Sequence, residues 1–350
     1  MKVGGSMEEN KDINELREML ELDEDIKFTK KMNQKMNQKL TKKVMKIMSV
    51  FIIFCLLAVF GTKMGMESYY YDPNKEDVKY ESIFQAYLWT YCPTTLFYSM
   101  DIEEKGFSRY DISIRLEKMN EYAAGEHVET LTLYKSVMDM QPLYNFEKRI
   151  ADEFVDVEKK EYKNDLSLDE HQKEELMKKI KELPESAIIE ASVSFTKKKT
   201  LHDFLNYKQD YENTQFAWLA MEQAQYVQNG ITGIPLFMGV KWNDEKVDEL
   251  YPAFYHTLDK EYDAKDLKDF YLDILKLLID HPIAYKTLNG NDVNTSISKI
   301  QEQYAFALDN EIQTIGARIF TNKHDFLAML EKNEITQIMI QDVKLSLFSR

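Results

Sequence analysis

"KKMNQKMNQKLTKKVMKIMSVFIIFCLLAVFGTK", Lys30–Lys63, holds the two patterns that decide the architecture. Its first half repeats Lys-Met-Asn-Gln and belongs to a collar, Lys27–Lys46, with eight lysines (27, 30, 31, 35, 39, 42, 43, 46) and no acid. Its second half, Ile47–Thr62, is sixteen residues without a charge, ten of them Ile, Leu, Val or Phe. On insertion scales those ten side chains contribute about −3 to −6 kcal/mol. Sixteen helical residues span about 24 Å, short of a hydrocarbon core of about 30 Å. Snorkelling by Lys46 and Lys63, and the continuation through Met64-Gly65-Met66, close the gap, so residues 47–66 are expected to form a transmembrane helix. Tyr69, Tyr70 and Tyr71 then fall where an aromatic belt meets the far headgroups.

A cleaved signal peptide is the rival interpretation. It calls for a short basic region and an A-x-A-like cleavage site. Here 46 residues precede the apolar run, and only Val59-Phe60-Gly61 resembles such a site. A retained single-pass anchor is therefore expected. The lysine asymmetry, eight before the run against Lys63 after it, places the N-terminus in the cytoplasm and the C-terminal part outside the cell membrane. In a helix Lys31, Lys35, Lys39 and Lys43 share a stripe beside Met32, Met36, Leu40 and Val44. Lys31, Lys35, Lys39, Lys42, Lys43 and Lys46 are the expected membrane-surface residues, each worth about 1 kcal/mol near anionic lipid. Lipid is an adjacent and sufficient anionic partner, so no nucleic-acid partner is expected.

The charge is unevenly divided. Over 350 residues the net charge is −15, yet residues 1–26 carry Lys2, Lys11 and Arg17 against nine acids, a net of −6. With the collar at +8 and Lys63 at +1, everything beyond the span carries −18. So acidic an outer part argues against wall polyanions or nucleic acid as ligands; it is compatible with cationic ligands, and plain solubility is the simpler account of the charge. Cys55 lies in the apolar run and Cys92 beyond it, so no intrachain disulfide is expected. The six histidines (127, 171, 202, 256, 281, 324) show no HxxH or HExxH spacing, so no metal or other cofactor is expected.

The first 46 residues have too little apolar surface for a core. "DINELREMLELDEDI" nevertheless has helical periodicity, with Ile13, Leu16, Met19 and Leu20 on one face and acids opposite. Asp12 is placed to cap it, with Glu15 completing a capping-box-like start. Such a segment either folds onto a partner or stays a solvated, partly helical tail. "MKVGGS" has no structural pattern, and either Met1 or Met7 serves as the start.

From residue 67 onward an α+β ectodomain is expected, a mixed sheet with flanking helices, divided into a juxtamembrane region (67–165) and a C-terminal domain (166–350). "YDISIRLEKM" (110–119) and "HVETLTLYKSV" (127–137) alternate as a hairpin. "SLDEHQKEELMKKIKELP" is a helix with a capping box at Ser167 and Glu170, stopped at Pro184. "SAIIEASVSF" is a strand burying Ile189, Ala191, Val193 and Phe195, and Thr200 with Asp203 opens a short helix. "PLFMGVKW" (235–242) is a further strand and 266–280 an amphipathic helix. "TIGARIFT", "NKHDFLAMLEKN" and "ITQIMIQDVKLSLF" close the chain as strand, helix, strand.

No catalytic constellation is visible: GxSxG, SxxK and Walker loops are absent, and no nucleophile, base and orienter can be named. The chain is therefore not expected to be an enzyme. "GITG" (230–233) lacks the basic residues of a nucleic-acid clamp. The pairs Asp244/Glu245 and Asp248/Glu249 are expected on solvated helix faces.

"LPESAIIEASVSFTKKKTLHDFL" (183–205) resembles the C-terminal domain of the sigma factor regulator family, in which a similar strand ends in Ser-Phe before a short helix. "IGARIFTNKHDFLAMLEKNEITQIMIQDVKLSLF" (315–348) is similar to the close of that domain, though "FTNKHD" stands where a Gly-Pro-Thr-like turn is the pattern. The collar, the span and "ESYYYDPNKED" match the N-terminal half, so the resemblance runs over residues 28–348 with a loose middle. It implies a membrane-anchored anti-sigma factor of Gram-positive bacteria, holding an extracytoplasmic-function sigma factor until an envelope signal releases it. Ile13, Leu16, Met19 and Leu20 are the candidate sigma-binding residues, in a zinc-free contact. Signal transfer would use proteolysis, oligomer rearrangement or a second membrane protein. The alternative is an extracellular binding module or receptor whose anchor does not signal.

Overall fold

A computed structural model describes residues 8–69, 72–92, 95–104, 109–118, 126–134, 154, 168–224, 231–236, 244–256, 262–289 and 297–345. The chain forms two compact units, Met1–Ser68 and Tyr69–Arg350. The first is built on a single helix, α1 (Glu8–Tyr69), whose 62 residues span about 93 Å. Its continuity follows from composition: no proline or glycine interrupts residues 8–60. The expected N-terminal helix, collar and apolar span are thus one rod. Within the span the hydroxyls turn back on the backbone, Ser49 Oγ donating to Met45 O (2.8 Å) and Thr62 Oγ1 to Ala58 O (2.7 Å). That satisfies both donors within the helix itself.

The second unit opens with a 3₁₀ turn, Pro73–Lys75, capped by Asp72, and helix α2 (Tyr80–Tyr91). Strands β1 (Thr95–Glu104), β2 (Arg109–Lys118) and β3 (Glu126–Tyr134) form an antiparallel sheet in that order. The β2–β3 pairing, with Arg109 opposite Tyr134, is the expected hairpin; residues 135–137 of that expectation lie outside the described residues. Neither α2 nor β1 was signalled by the sequence pattern.

Helix α3 (Glu170–Lys181) begins two residues later than expected. Its box is Asp169 with Gln172, not Ser167 with Glu170: Asp169 accepts from Gln172 N (2.7 Å), and Gln172 Oε1 accepts from Asp169 N (3.0 Å). Two overlapping boxes are written in "SLDEHQ", and the second is the one formed. Strand β4 (Ala187–Thr200) leads into α4 (Leu201–Gln209), whose cap is Thr200 accepting from Asp203 N, as expected. Strands β5 (Thr214–Met221) and β6 (Gly233–Pro235) follow. The expected strand at 235–242 meets the described strand only at Pro235; residues 237–243 lie outside the described residues.

A helical insertion then runs through α5 (Glu245–Leu250), α6 (Ala253–His256), α7 (Ala264–Asp280), α8 (Pro282–Asn289) and α9 (Ile297–Asp309). The close is β7 (Gln313–Asn322), α10 (Lys323–Glu331) and β8 (Ile335–Leu345), strand-helix-strand as read from the sequence.

The main sheet is antiparallel throughout, in the order β6-β5-β7-β4-β8, not mixed. The reason is topological. A strand-helix-strand unit sets its two strands parallel, and here β4 with β5, and β7 with β8, are so related. Each pair is split by one antiparallel strand, β7 between β4 and β5, β4 between β7 and β8. The order β8-β4-β7-β5 with α4 and α10 as crossovers is the split-βαβ arrangement of ferredoxin-like folds.

Both faces of the sheet are buried. Ile189, Ala191, Val193 and Phe195 of β4 line one face, where α4 packs through Phe204 against Phe195 and Phe216. Glu190, Ser192 and Ser194 line the other, sharing it by register with Arg318, Gly316 and Trp218. Phe154 stacks on Trp218 there, ring centroids 5.5 Å apart. Gly316 is required by this closeness: a Cβ would stand 2.4 Å from Val193 O and 2.9 Å from the Phe154 ring. One apolar core runs from Val78 and α2 through the sheet to Ile335.

Candidate functional site

The sequence-derived site residues all fall on α1. Ile13, Leu16, Met19 and Leu20 lie on helical backbone, at spacings that put them on one side of the rod; their side chains lie outside the described set. Lys31, Lys35, Lys39, Lys42, Lys43 and Lys46 are exposed. So are Met32, Met36, Leu40 and Val44. The four-residue repeat advances each stripe by about 40° per step on a helix of 3.6 residues per turn, so lysines and apolar groups wind around the rod together. A helix meant to lie flat on a bilayer keeps a constant apolar face; this one does not.

Within Lys27–Met64 the helix holds a stretch apolar and long enough to cross a membrane, and that stretch is not buried by the rest of the chain. Phe51, Phe54 and Leu57 are 64, 68 and 65% exposed. A signal sequence near an N-terminus meets the same requirement of length and composition. From Lys46, the rise to Lys42 is about 6 Å and to Lys27 about 29 Å.

In the second unit the polar chemistry is structural and mostly paired. Arg318 and Glu190, both buried on the sheet, pair at 2.7 Å, and Arg318 also donates to Ser192 Oγ at 2.7 Å. Lys199 lies 4.2 Å over the Tyr207 ring, and burial pulls its ammonium below the usual lysine range. Burial likewise raises the Asp273 carboxyl, although it accepts from Ala253 N at 2.7 Å. On the surface, hydrogen bonds from Lys323 and His324 hold the Glu185 carboxyl below its ordinary value. Among the described residues no group of three or more His, Cys, Asp or Glu side chains is placed to hold a metal.

One acid departs from what the sequence led one to expect, and a second joins it in the same region. Asp244 is not on a solvated face: it is buried and caps two helix starts at once. Its Oδ1 accepts from Lys246 N (3.2 Å) and Val247 N (3.4 Å) of α5; its Oδ2 accepts from Lys79 N (2.8 Å) and Ser82 Oγ (3.0 Å) of α2. Glu76, three residues before Lys79, pairs with the buried His281 Nδ1 at 2.7 Å, at the start of α8. An aspartate before a short helix is legible as a cap; a second partner 165 residues away in the chain is not.

Gly233, of the discounted "GITG", serves packing. A Cβ there would meet the Trp218 ring at 2.1 Å and Leu219 O at 2.2 Å.

Comparison with family models, with curated proteins and with solved structures finds no match to the chain.

Proposed function

We propose that this chain is a membrane-anchored anti-sigma factor: a cytoplasmic N-terminus that sequesters an extracytoplasmic-function sigma factor, a single transmembrane helix, and an extracellular domain that senses and does no chemistry. The observation that carries this is α1 itself. One helix joins an acidic, amphipathic end that has no core of its own to an apolar stretch that the rest of the chain leaves exposed. The first needs a protein partner, the second needs lipid. The resemblance at residues 183–205 and 315–348 supplies the class of partner.

The Ile13/Leu16/Met19/Leu20 stripe packs into an apolar groove of the sigma factor, and the flanking acids face basic surface that otherwise meets polymerase or promoter DNA. Binding needs no zinc. On a rod standing along the membrane normal, Lys42, Lys43 and Lys46 lie within one Debye length, about 8 Å, of the inner surface. Lys31 and Lys35 reach that surface only as the rod tilts.

Replacing Leu16 and Leu20 by Asp puts two charges into the groove and releases the sigma factor. The check is transcription from its target promoters in cells carrying the full-length variant at wild-type level. Derepression equal to that of a deletion supports sequestration. Repression as in wild type discards it in favour of an extracellular binding module with a non-signalling anchor.

A further inference from the structure

The helix that follows the anchor is gripped by one part of the ectodomain. Ten residues of chain, 70–79, separate the end of α1 from the start of α2. All of α2 but its second residue, Glu81, is buried, and helices α7 and α8 and strand β6 pack against it. Its apolar side chains, including Ile83, Phe84 and Leu88, are worth about 1.5–3 kcal/mol each on burial, so α2 does not leave the core by itself. The hold on the chain leading into it is of another kind, because it is made by a few polar groups.

Five bonds that hold α2 and the chain leading into it come from one insertion, α5–α8. Asp244, at the start of α5, takes Lys79 N and Ser82 Oγ. His281, between α7 and α8, takes Glu76. Thr287 of α8 meets the Tyr80 hydroxyl at 2.9 Å, and Tyr285 meets that of Tyr91 at 2.9 Å. At its far end α2 also bonds to the sheet, where Trp218 Nε1 donates to Trp89 O at 2.8 Å. The insertion therefore fixes where residues 76–82 point, and it lies between two strands of the sheet without being part of either crossover.

We infer that Glu76–Ser82 and the pair Asp244/His281 form a clasp through which movement of the α5–α8 insertion is passed to the chain entering the membrane. With the clasp closed, residues 76–82 are held against the insertion. With it open, residues 73–79 are free to extend to a span of at most about 23 Å. This inference rests on the proposed anti-sigma role for its output, though not for its geometry.

Asp244→Ala is the decisive variant. The carboxylate accepts from Lys79 N and Ser82 Oγ on one oxygen and from α5 on the other, and the methyl group that replaces it accepts from neither set. The full chain in lipid nanodiscs is followed by amide hydrogen exchange. Protection at residues 79–83 is expected to fall about tenfold or more, the loss of one charge-assisted bond, with β4 and β7 unchanged. In cells the same variant is expected to shift target-promoter activity at least severalfold while the protein level stays constant.

Unchanged exchange at 79–83 overturns the clasp. Faster exchange there, with promoter activity as in wild type while the Leu16→Asp/Leu20→Asp variant derepresses, overturns its role in signalling. Should that control also be silent, the anti-sigma role fails, and the exchange data still decide the clasp. His281→Gln, which keeps one hydrogen bond to Glu76, is expected to loosen the segment less than His281→Ala; the reverse order contradicts the pairing.

Discussion

Two apolar helices in this chain meet opposite fates. In α2 eleven of twelve side chains are buried, Ile83, Phe84 and Leu88 completely. In α1 the run Ile47–Phe60 is richer still in Phe, Ile and Leu, yet every described side chain along it is exposed. The same transfer free energy drives both, so the difference lies in what each helix can reach. Twelve residues make a rod of about 18 Å that fits inside a domain, and α7, α8, β6 and β1 close around it. A rod of 62 residues with its apolar stretch near the middle fits no such core; that stretch is long and apolar enough to cross a membrane or to serve as a signal sequence. Composition sets the appetite for burial; length and neighbours decide the solvent.

The comparison can be broken most sharply by a pair of truncations. Phe84→Ala in α2 should destabilise the second unit by about 3–5 kcal/mol. Phe54→Ala, at a position 68% exposed, should leave its thermal midpoint unchanged. Equal effects would mean that α1 has a protein partner along its apolar run. Arg318→Ala should also cost about 3–5 kcal/mol by stranding Glu190 in the core, while replacing both by apolar residues of similar volume should come within about 1 kcal/mol of wild type. Denaturant midpoints of the three proteins decide it. Gly233→Ala forces a methyl against Trp218 and should cost about 1–3 kcal/mol, visible as a lowered midpoint with an unchanged slope.

The smallest effect belongs to the exposed Glu185. Its folded carboxyl titrates below its unfolded value because Lys323 and His324 bond to the charged form. That stability is present above the unfolded carboxylate range and is lost as the pH falls through the folded value. Glu185→Gln should therefore lower the midpoint slightly at neutral pH and match wild type in acid. A deficit that persists in acid would assign the effect to something other than charge.

Much of this was legible where the signal is local. The strand-helix-strand close, the Thr200 cap, the helix at 266–280 and the apolar span are each written within a few consecutive residues. The sheet order was not, because strand–helix–strand spacing says that two strands run parallel without saying that a third lies between them. Helix α2 was missed because "YESIFQAYLWTY" is buried nearly all round, with Ser82, Gln85 and Thr90 inside as well, so its polar residues do not mark out a solvent face. Asp244 was misjudged since acids beside acids usually face water, and its second partner, Lys79, is brought near only by the tertiary fold. The candidate sigma-binding stripe rests on helical spacing alone: α1 gives it a helical backbone, and its side chains lie outside the described set.

The most direct test of the central claim is binding by the full-length chain in nanodiscs to the extracytoplasmic-function sigma factors of its host. Saturable binding to at least one of them, abolished by Leu16→Asp/Leu20→Asp and unaffected by a zinc chelator, is the predicted result. Absence of binding to any of them, or binding that survives both substitutions, would contradict it.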